Sequence, residues 1–160
     1  MIQEKIHSIS YKLLDFDDLG NDKKLIESAK AAAKNAYAPY SNFQVGAAIQ
    51  LSNGEVVIGS NQENAAFPSG LCAERVALFA ASANFPNIPF IKIAIYATST
   101  DFEDILSPCG ACRQVIHEYE DKQNQVIKIL ISNSTDKVVQ FEDSESLLPF
   151  AFKLKGLKKQ

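Results

Sequence analysis

Cys72-Ala73-Glu74-Arg75 and, further on, Pro108-Cys109-Gly110-Ala111-Cys112-Arg113 are the stretches from which the rest of the chain can be read. They contain every cysteine and every arginine of the 160 residues, and all other basic side chains of that kind are lysines. Three thiols fill three corners of a Zn²⁺ tetrahedron and leave the fourth open to water, the layout of a catalytic zinc; a structural site is closed by a fourth protein ligand. Glu74, two residues past the first thiol, is not needed as a ligand and is free to move protons. Each window falls where a loop enters a helix, so unpaired N–H groups and the helix dipole favour thiolate over thiol. Cys109 and Cys112 flank a tight Gly-containing turn and reach one ion together. Cys72 joins them if the two helices lie side by side on one sheet face. Three thiolates give the site a net −1 charge, which on its own keeps the pKa of bound water high. The guanidinium forks of Arg75 and Arg113 offer compensation by donating to the sulfurs.

The flanking elements predict that placement. Residues 71 to about 83 read as a helix apolar on nearly every side (Val76, Ala77, Leu78, Phe79, Ala80, Ala81). Such a helix is buried all round, which in a domain this small means a sheet on one side and another subunit on the other. A second helix is expected from about 110 to 119, between buried strands at 91–97 and 126–131, with a loop from the first strand to Pro108. Strand–helix alternation implies right-handed parallel crossovers. Upstream, Asn53-Gly54 readily takes the positive φ angles of a tight turn and joins 45–51 to 56–58 as a hairpin. The 133–136 link is too short for a crossover, so 138–141 returns antiparallel.

A first helix starts near Asn21 or Asp22, either of which suits an N-cap, and ends before Pro39. Its Leu25, Ile26, Ala29, Ala32, Ala33 and Ala36 share one face. Residues 144–148 form one helical turn. The expected architecture is α/β: a five-stranded mixed sheet covered by helices, carried by residues 21–152. Residues 1–20, whose Ile6, Ile9, Tyr11, Leu13 and Leu14 fit no single period, are an N-terminal extension, and 153–160 a Lys-rich tail.

Bulk properties narrow the class. Apolar residues at 46% and charged residues at 22% suit one globular domain with a real core. A net charge of −3 gives no basic footprint for nucleic acid or an anionic membrane. No apolar run approaches the ~20 residues of a membrane span, and the first twenty residues lack the pattern of a signal peptide. An odd cysteine count fits a reducing cytoplasm.

Bland readings compete with the metal. Cys-x-x-Cys alone suits a redox pair, but Cys72 and Glu74 then have no role. A structural zinc closed by His117 requires reaching back more than a helical turn from Cys112, and His117 reads as an ordinary helix residue; His7 reads as solvated.

The two windows resemble the zinc deaminases of nucleobases, whose Zn²⁺/Glu signature is a known pattern, with Cys in the place where many members have His. The closer resemblance is to cytidine deaminases of the small homotetrameric type. It is carried also by Ala38-Pro39-Tyr40-Ser41-Asn42-Phe43-Gln44-Val45-Gly46-Ala47-Ala48, by Asn61-Gln62-Glu63-Asn64-Ala65 and by Leu147-Leu148-Pro149. The resemblance implies a three-layer cytidine deaminase-like fold. It makes Cys72, Cys109 and Cys112 the zinc ligands and Glu74 the proton shuttle. It stacks Phe43 on the pyrimidine, gives Asn61 and Glu63 to the ribose 3′-hydroxyl, aims the Ala73 N–H at the base carbonyl and sets Phe152 near a neighbouring subunit's site. Phe67, a substrate-binding position by the same resemblance, stands where the family often has Tyr, so a hydroxyl contact near the site is missing, and Ala151 stands where it often has Ser. The implied activity is zinc-dependent deamination of cytidine and 2′-deoxycytidine in pyrimidine salvage, by a cytoplasmic homotetramer acting on a small nucleoside. The alternatives are a deaminase of a cytosine-containing antibiotic of the blasticidin S type, against which Asn61 and Glu63 argue, and a non-catalytic structural zinc module.

Overall fold

The apolar runs of the middle of the chain become one mixed sheet. The computed structural model describes residues 2–98 and 106–153; most of the loop leading to Pro108 and nearly all of the Lys-rich tail lie outside them. Strands β1 (Lys12–Asp15), β2 (Val45–Leu51), β3 (Val56–Ser60), β4 (Phe90–Ala97), β5 (Lys128–Ser132) and β6 (Lys137–Phe141) stand in the order β1-β6-β5-β4-β2-β3. Helices α1 (Lys23–Ala33), α2 (Ala73–Asn84) and α3 (Gly110–Gln123) cover it. The hairpins β2–β3 and β5–β6 are antiparallel as expected, with Gly54 at φ +90° in the first turn. Strands β4 and β5 are parallel, joined through α3. The connection through α2 steps from β3 over β2 to β4.

The expected five-stranded sheet is corrected to six. The added strand, β1, comes from the N-terminal extension and pairs antiparallel with β6, Leu13 opposite Val139. It escapes the sequence pattern because it buries almost nothing: only Leu14 of its four residues is partly covered. Its hold is the backbone ladder, the Lys12–Glu142 ion pair at 2.7 Å, a second pair between Lys137 and Asp15, and the Tyr11 ring against Phe141.

Alternating side chains along β2 divide the core. Ala47, Ile49 and Leu51 face α2 and α3, together with Leu78, Ile93, Ile116 and Ile129, all fully buried. Ala48 faces the other way, to Leu25, Ile26 and Ala29 of α1. Burying each Leu or Ile stabilises the fold by roughly 1.5–3 kcal/mol. Two glycines set how closely the helices approach. A Cβ on Gly46 would stand 2.0 Å from the Ala29 carbonyl oxygen of α1; one on Gly59 would stand 2.5 Å from the Ala77 nitrogen of α2.

Helix α1 begins at Lys23, but Asp22 makes no capping hydrogen bond. Its carboxylate turns to the Lys92 ammonium, with Lys128 at 3.8 Å, because two charges in the neighbouring strands outcompete backbone N–H groups. Helix α2 is not buried on every side of the single chain: Ala73, Ala77, Leu78 and Ala81 are, while Phe79 is 43% exposed. Helix α3 runs four residues beyond the expected end, to Gln123, and is capped by Asn124 at φ 51°. His117 on α3 is buried rather than an ordinary surface position. The Ser144 hydroxyl donates to the Glu120 carboxylate and takes a bond from His117 Nδ1 at 2.9 Å.

Candidate active site

Helices α2 and α3 lie side by side on one face of the sheet and present their N-termini together. Cys72 is the N-cap of α2, Cys109 the N-cap of α3, and Cys112 sits in the first turn of α3. Both capping residues are extended, ψ 154° and 162°, so each chain enters its helix with the sulfur beside the free N–H groups. The three sulfurs lie within 4.8 Å of one another, and Cys72 and Cys109 are 3.8 Å apart. A tetrahedron with Zn–S arms of about 2.3 Å has edges of about 3.8 Å, so the donor set fits zinc. No fourth protein ligand joins the cluster among the described residues, and His117 is turned to Ser144.

The electrostatics fit a site built for a cation. The Cys72 thiol is pulled down to about 5, by its hydrogen bond with Cys112 and then by the Arg75 guanidinium. Cys112 is pushed up by the same bond, by burial and by the charge of Glu74. The bond between the two thiols thus favours ionisation at Cys72 over Cys112. Arg75 donates from Nη2 to Cys72 Sγ at 3.8 Å, while its Nε is buried with no partner among the described residues. The bonds of Arg113 do not run to sulfur as expected. Its Nε donates to the Pro108 carbonyl at 2.7 Å and its Nη1 to the Leu147 carbonyl at 2.9 Å. It braces the peptide before Cys109 instead of neutralising the thiolates.

Glu74 is buried in the first turn of α2. Burial, and then the negative charge at Cys72, raise its pKa above the ordinary carboxylate range, against the opposing pull of Arg75. A carboxyl group so raised holds a proton more readily than an exposed one, which suits a group that both takes up and gives back protons. It opens on a cavity of about 220 Å³ lined by Phe43, Asn61, Cys72, Ala73, Glu74 and Cys109. Ala73 is the first residue of α2, so its N–H is one of the helix's unpaired donors. A second cavity of about 270 Å³ adjoins it, sharing Asn61 and Cys72, and is lined also by Tyr40, Glu63 and Phe67. The two cavities meet at Asn61 and Cys72, one carrying Cys109 and Glu74 and the other the Glu63 carboxylate.

Asn61 and Glu63 do more there than the sequence discloses. Asn61 grips the loop before β2, Nδ2 donating to the Phe43 carbonyl at 2.9 Å and Oδ1 accepting from the Val45 N–H at 2.8 Å. The Glu63 carboxylate accepts from the N–H groups of Tyr40, at 2.8 Å, and Ser41, and from the Ser41 hydroxyl. Ser41 first of all, then the Tyr40 N–H, holds Glu63 below the usual carboxylate range. Tyr40 and Ser41 carry no motif of their own; only their place in the resembling block marks them. Phe152 lines neither cavity. Its backbone is bonded twice to the Gln114 side chain and its ring is 65% exposed.

Residues 19–128 match the family model described as the cytidine and deoxycytidylate deaminase zinc-binding region. The cytidine deaminase of Halalkalibacterium halodurans is 41% identical over 128 residues, covering 80% of this chain and 91% of that one. That of Sporosarcina psychrophila is 38% identical, covering 84% and 93%. The crystal structure of cytidine deaminase from Burkholderia pseudomallei superposes with a TM-score of 0.72 at 42% identity, covering 81% of this chain and 98% of that one.

Proposed function

The chain belongs to the cytidine deaminase family, and from that premise we propose that it deaminates cytidine and 2′-deoxycytidine to uridine and 2′-deoxyuridine, consuming one water and releasing ammonia. The observation that carries this reading is the placement of buried Glu74 beside three sulfurs that lie within 4.8 Å of one another, at the floor of an open cavity. Cys72, Cys109 and Cys112 would hold Zn²⁺, which when bound supplies Lewis acidity that brings the pKa of water toward neutral. Glu74 takes the proton of the attacking water and passes it to ring N3, which makes C4 electrophilic. It then delivers a proton to the departing amino group. One carboxylate used as base and then as acid contributes typically ~10²–10⁴-fold.

Binding falls to the same cleft. The Phe43 ring stacks on the pyrimidine, and the Ala73 N–H donates to the base carbonyl. Asn61 and Glu63 face the ribose, Glu63 with carboxylate capacity beyond its three loop donors. That ribose-sized end favours a nucleoside over a cytosine-containing antibiotic. It carries a carboxylate and no Lys or Arg, so a 5′-phosphate finds no counter-charge. Residues 21–152 form the catalytic domain of a cytoplasmic homotetramer in pyrimidine salvage, with Phe67 among the substrate-binding residues of the cleft and Phe152 near a neighbouring subunit's site.

The test is ammonia release from cytidine, deoxycytidine, cytosine and CMP by protein of measured zinc content. Turnover of both nucleosides with about one zinc per chain, and CMP far behind, is the expected result. Full turnover by metal-free protein would sink the zinc mechanism, and CMP equal to cytidine would remove the free ribose.

A further inference from the structure

The ribose end and the base end of the cleft are joined through one hydroxyl. Ser41 Oγ donates to the Glu63 carboxylate and accepts from the Phe43 N–H at 3.0 Å. That N–H has no other bond among those of the loop, and the Phe43 carbonyl is held by Asn61. Between Ser41 and Phe43, Asn42 adopts φ 57°, a left-handed conformation that Asn takes more readily than most non-glycine residues. The segment is otherwise exposed, with no regular structure from residue 41 to 44. The Phe43 ring lines the same cavity as Cys72 and Glu74, and its loop is held by these side-chain bonds together with the backbone bonds from Asn42 N–H to the Ala38 carbonyl and from Thr98 N–H to the Gln44 carbonyl.

We propose that Ser41 is a positioning residue that transmits the hold of Glu63 to Phe43, so that the carboxylate at the sugar end fixes where the aromatic ring stands at the base end. The proposal rests on the cytidine reading above and adds a residue to it. Its energetics follow from charge. Ser41 donates to an ionised acceptor, and such a bond is about twice as strong as a neutral one. The oxygen that serves Glu63 also receives the Phe43 amide, so losing the hydroxyl releases both. Threonine keeps the hydroxyl; alanine does not.

Two measurements decide it. In hydrogen exchange without substrate, Ser41→Ala should speed exchange in the 40–45 segment at least about tenfold for the freed amide, and Ser41→Thr should restore protection. In turnover, Ser41→Ala should lower kcat/KM for cytidine about tenfold, the loss of one charge-assisted hydrogen bond, with Ser41→Thr close to wild type. In a Phe43→Ala background the same substitution should cost almost nothing, because the ring it positions is gone. Equal losses in both backgrounds, or no loss in either, would overturn the proposal, as would unchanged exchange in Ser41→Ala. A wild-type protein that ignores cytidine would defeat the substrate reading instead, and the exchange arm would still judge Ser41.

Discussion

At the scale of single residues the chemistry converges on Glu74. Its carboxyl is buried at the start of α2 with a raised pKa, and no basic group donates a hydrogen bond to it among the bonds described. Replacing it with Gln keeps the size and leaves the three sulfurs in place, but the amide cannot carry protons. Glu74→Gln should retain zinc and fold while kcat falls by at least about 10²-fold. Metal analysis beside an ammonia assay checks this, and a variant keeping a tenth of the wild-type rate would show Glu74 to be wrongly cast. Ligands and carboxylate were legible in the sequence because three thiols and a glutamate at fixed spacing have few other uses. Arg113 was not, since nothing in its window distinguishes a bond to sulfur from one to the carbonyls of Pro108 and Leu147. Ser41 was not either, because a serine in a loop gives no sign of which groups its hydroxyl joins.

At the scale of elements the site depends on how closely α2 meets β3. A Cβ at Gly59 would meet the Ala77 nitrogen at 2.5 Å and the Ala73 carbonyl oxygen at 2.8 Å, both backbone, so neither can rotate away. Gly59→Ala must push the first turn of α2 outward, and that turn carries Cys72 and Glu74. Overpacking of this kind costs about 1–3 kcal/mol. We expect a lower unfolding midpoint and reduced zinc affinity together; a variant with wild-type zinc affinity would separate the contact from the site. The other end of α3 is tied by Glu120, whose carboxylate takes the Ile127 N–H at 2.7 Å and the Ser144 N–H at 3.1 Å. Burial raises the Glu120 pKa above the ordinary range, against these bonds. The folded chain therefore holds that proton more tightly than the unfolded one. The stability it contributes is fully present below the ordinary carboxylate pKa and is lost as pH rises through the raised value. Urea unfolding from roughly pH 4 to pH 8 should show wild type losing stability relative to Glu120→Gln as pH rises. Parallel curves would exclude Glu120 as the source. Helices and hairpins were readable from periodicity and from Asn53-Gly54, whereas β1 was not, because a strand held by ladder and ion pairs leaves no apolar rhythm.

At the scale of the whole molecule, one chain leaves too many aromatic rings wet. Phe79 projects from the outer side of α2, Phe150 is 95% exposed at φ 61°, and Phe67 stands at the rim of the sugar end of the cleft. Phe152 is pinned to Gln114 of α3 with its ring outward, away from its own cavities. Scattered exposed apolar residues are ordinary, but Phe79 lies on a helix that builds the site, Phe67 lines the cleft, and Phe152 is tied to the other site helix through Gln114. The sheet ends in β1 on one side and β3 on the other, and β1 is only four residues long with exposed Lys12 and Asp15, features that discourage edge pairing. Contact through the helix faces remains, and closed symmetry is the usual outcome for identical chains. Light scattering at micromolar concentration should give four times the 17.6 kDa of the chain. Phe79→Glu places a charge on the outer face of α2 where it touches no core, so the chain should still fold and bind zinc. It should dissociate and lose most turnover, since Phe152 would no longer reach a neighbouring cleft. A wild-type monomer with full activity would refute the tetramer, and a dissociated Phe79→Glu variant with full activity would show that each cleft is complete within its own chain.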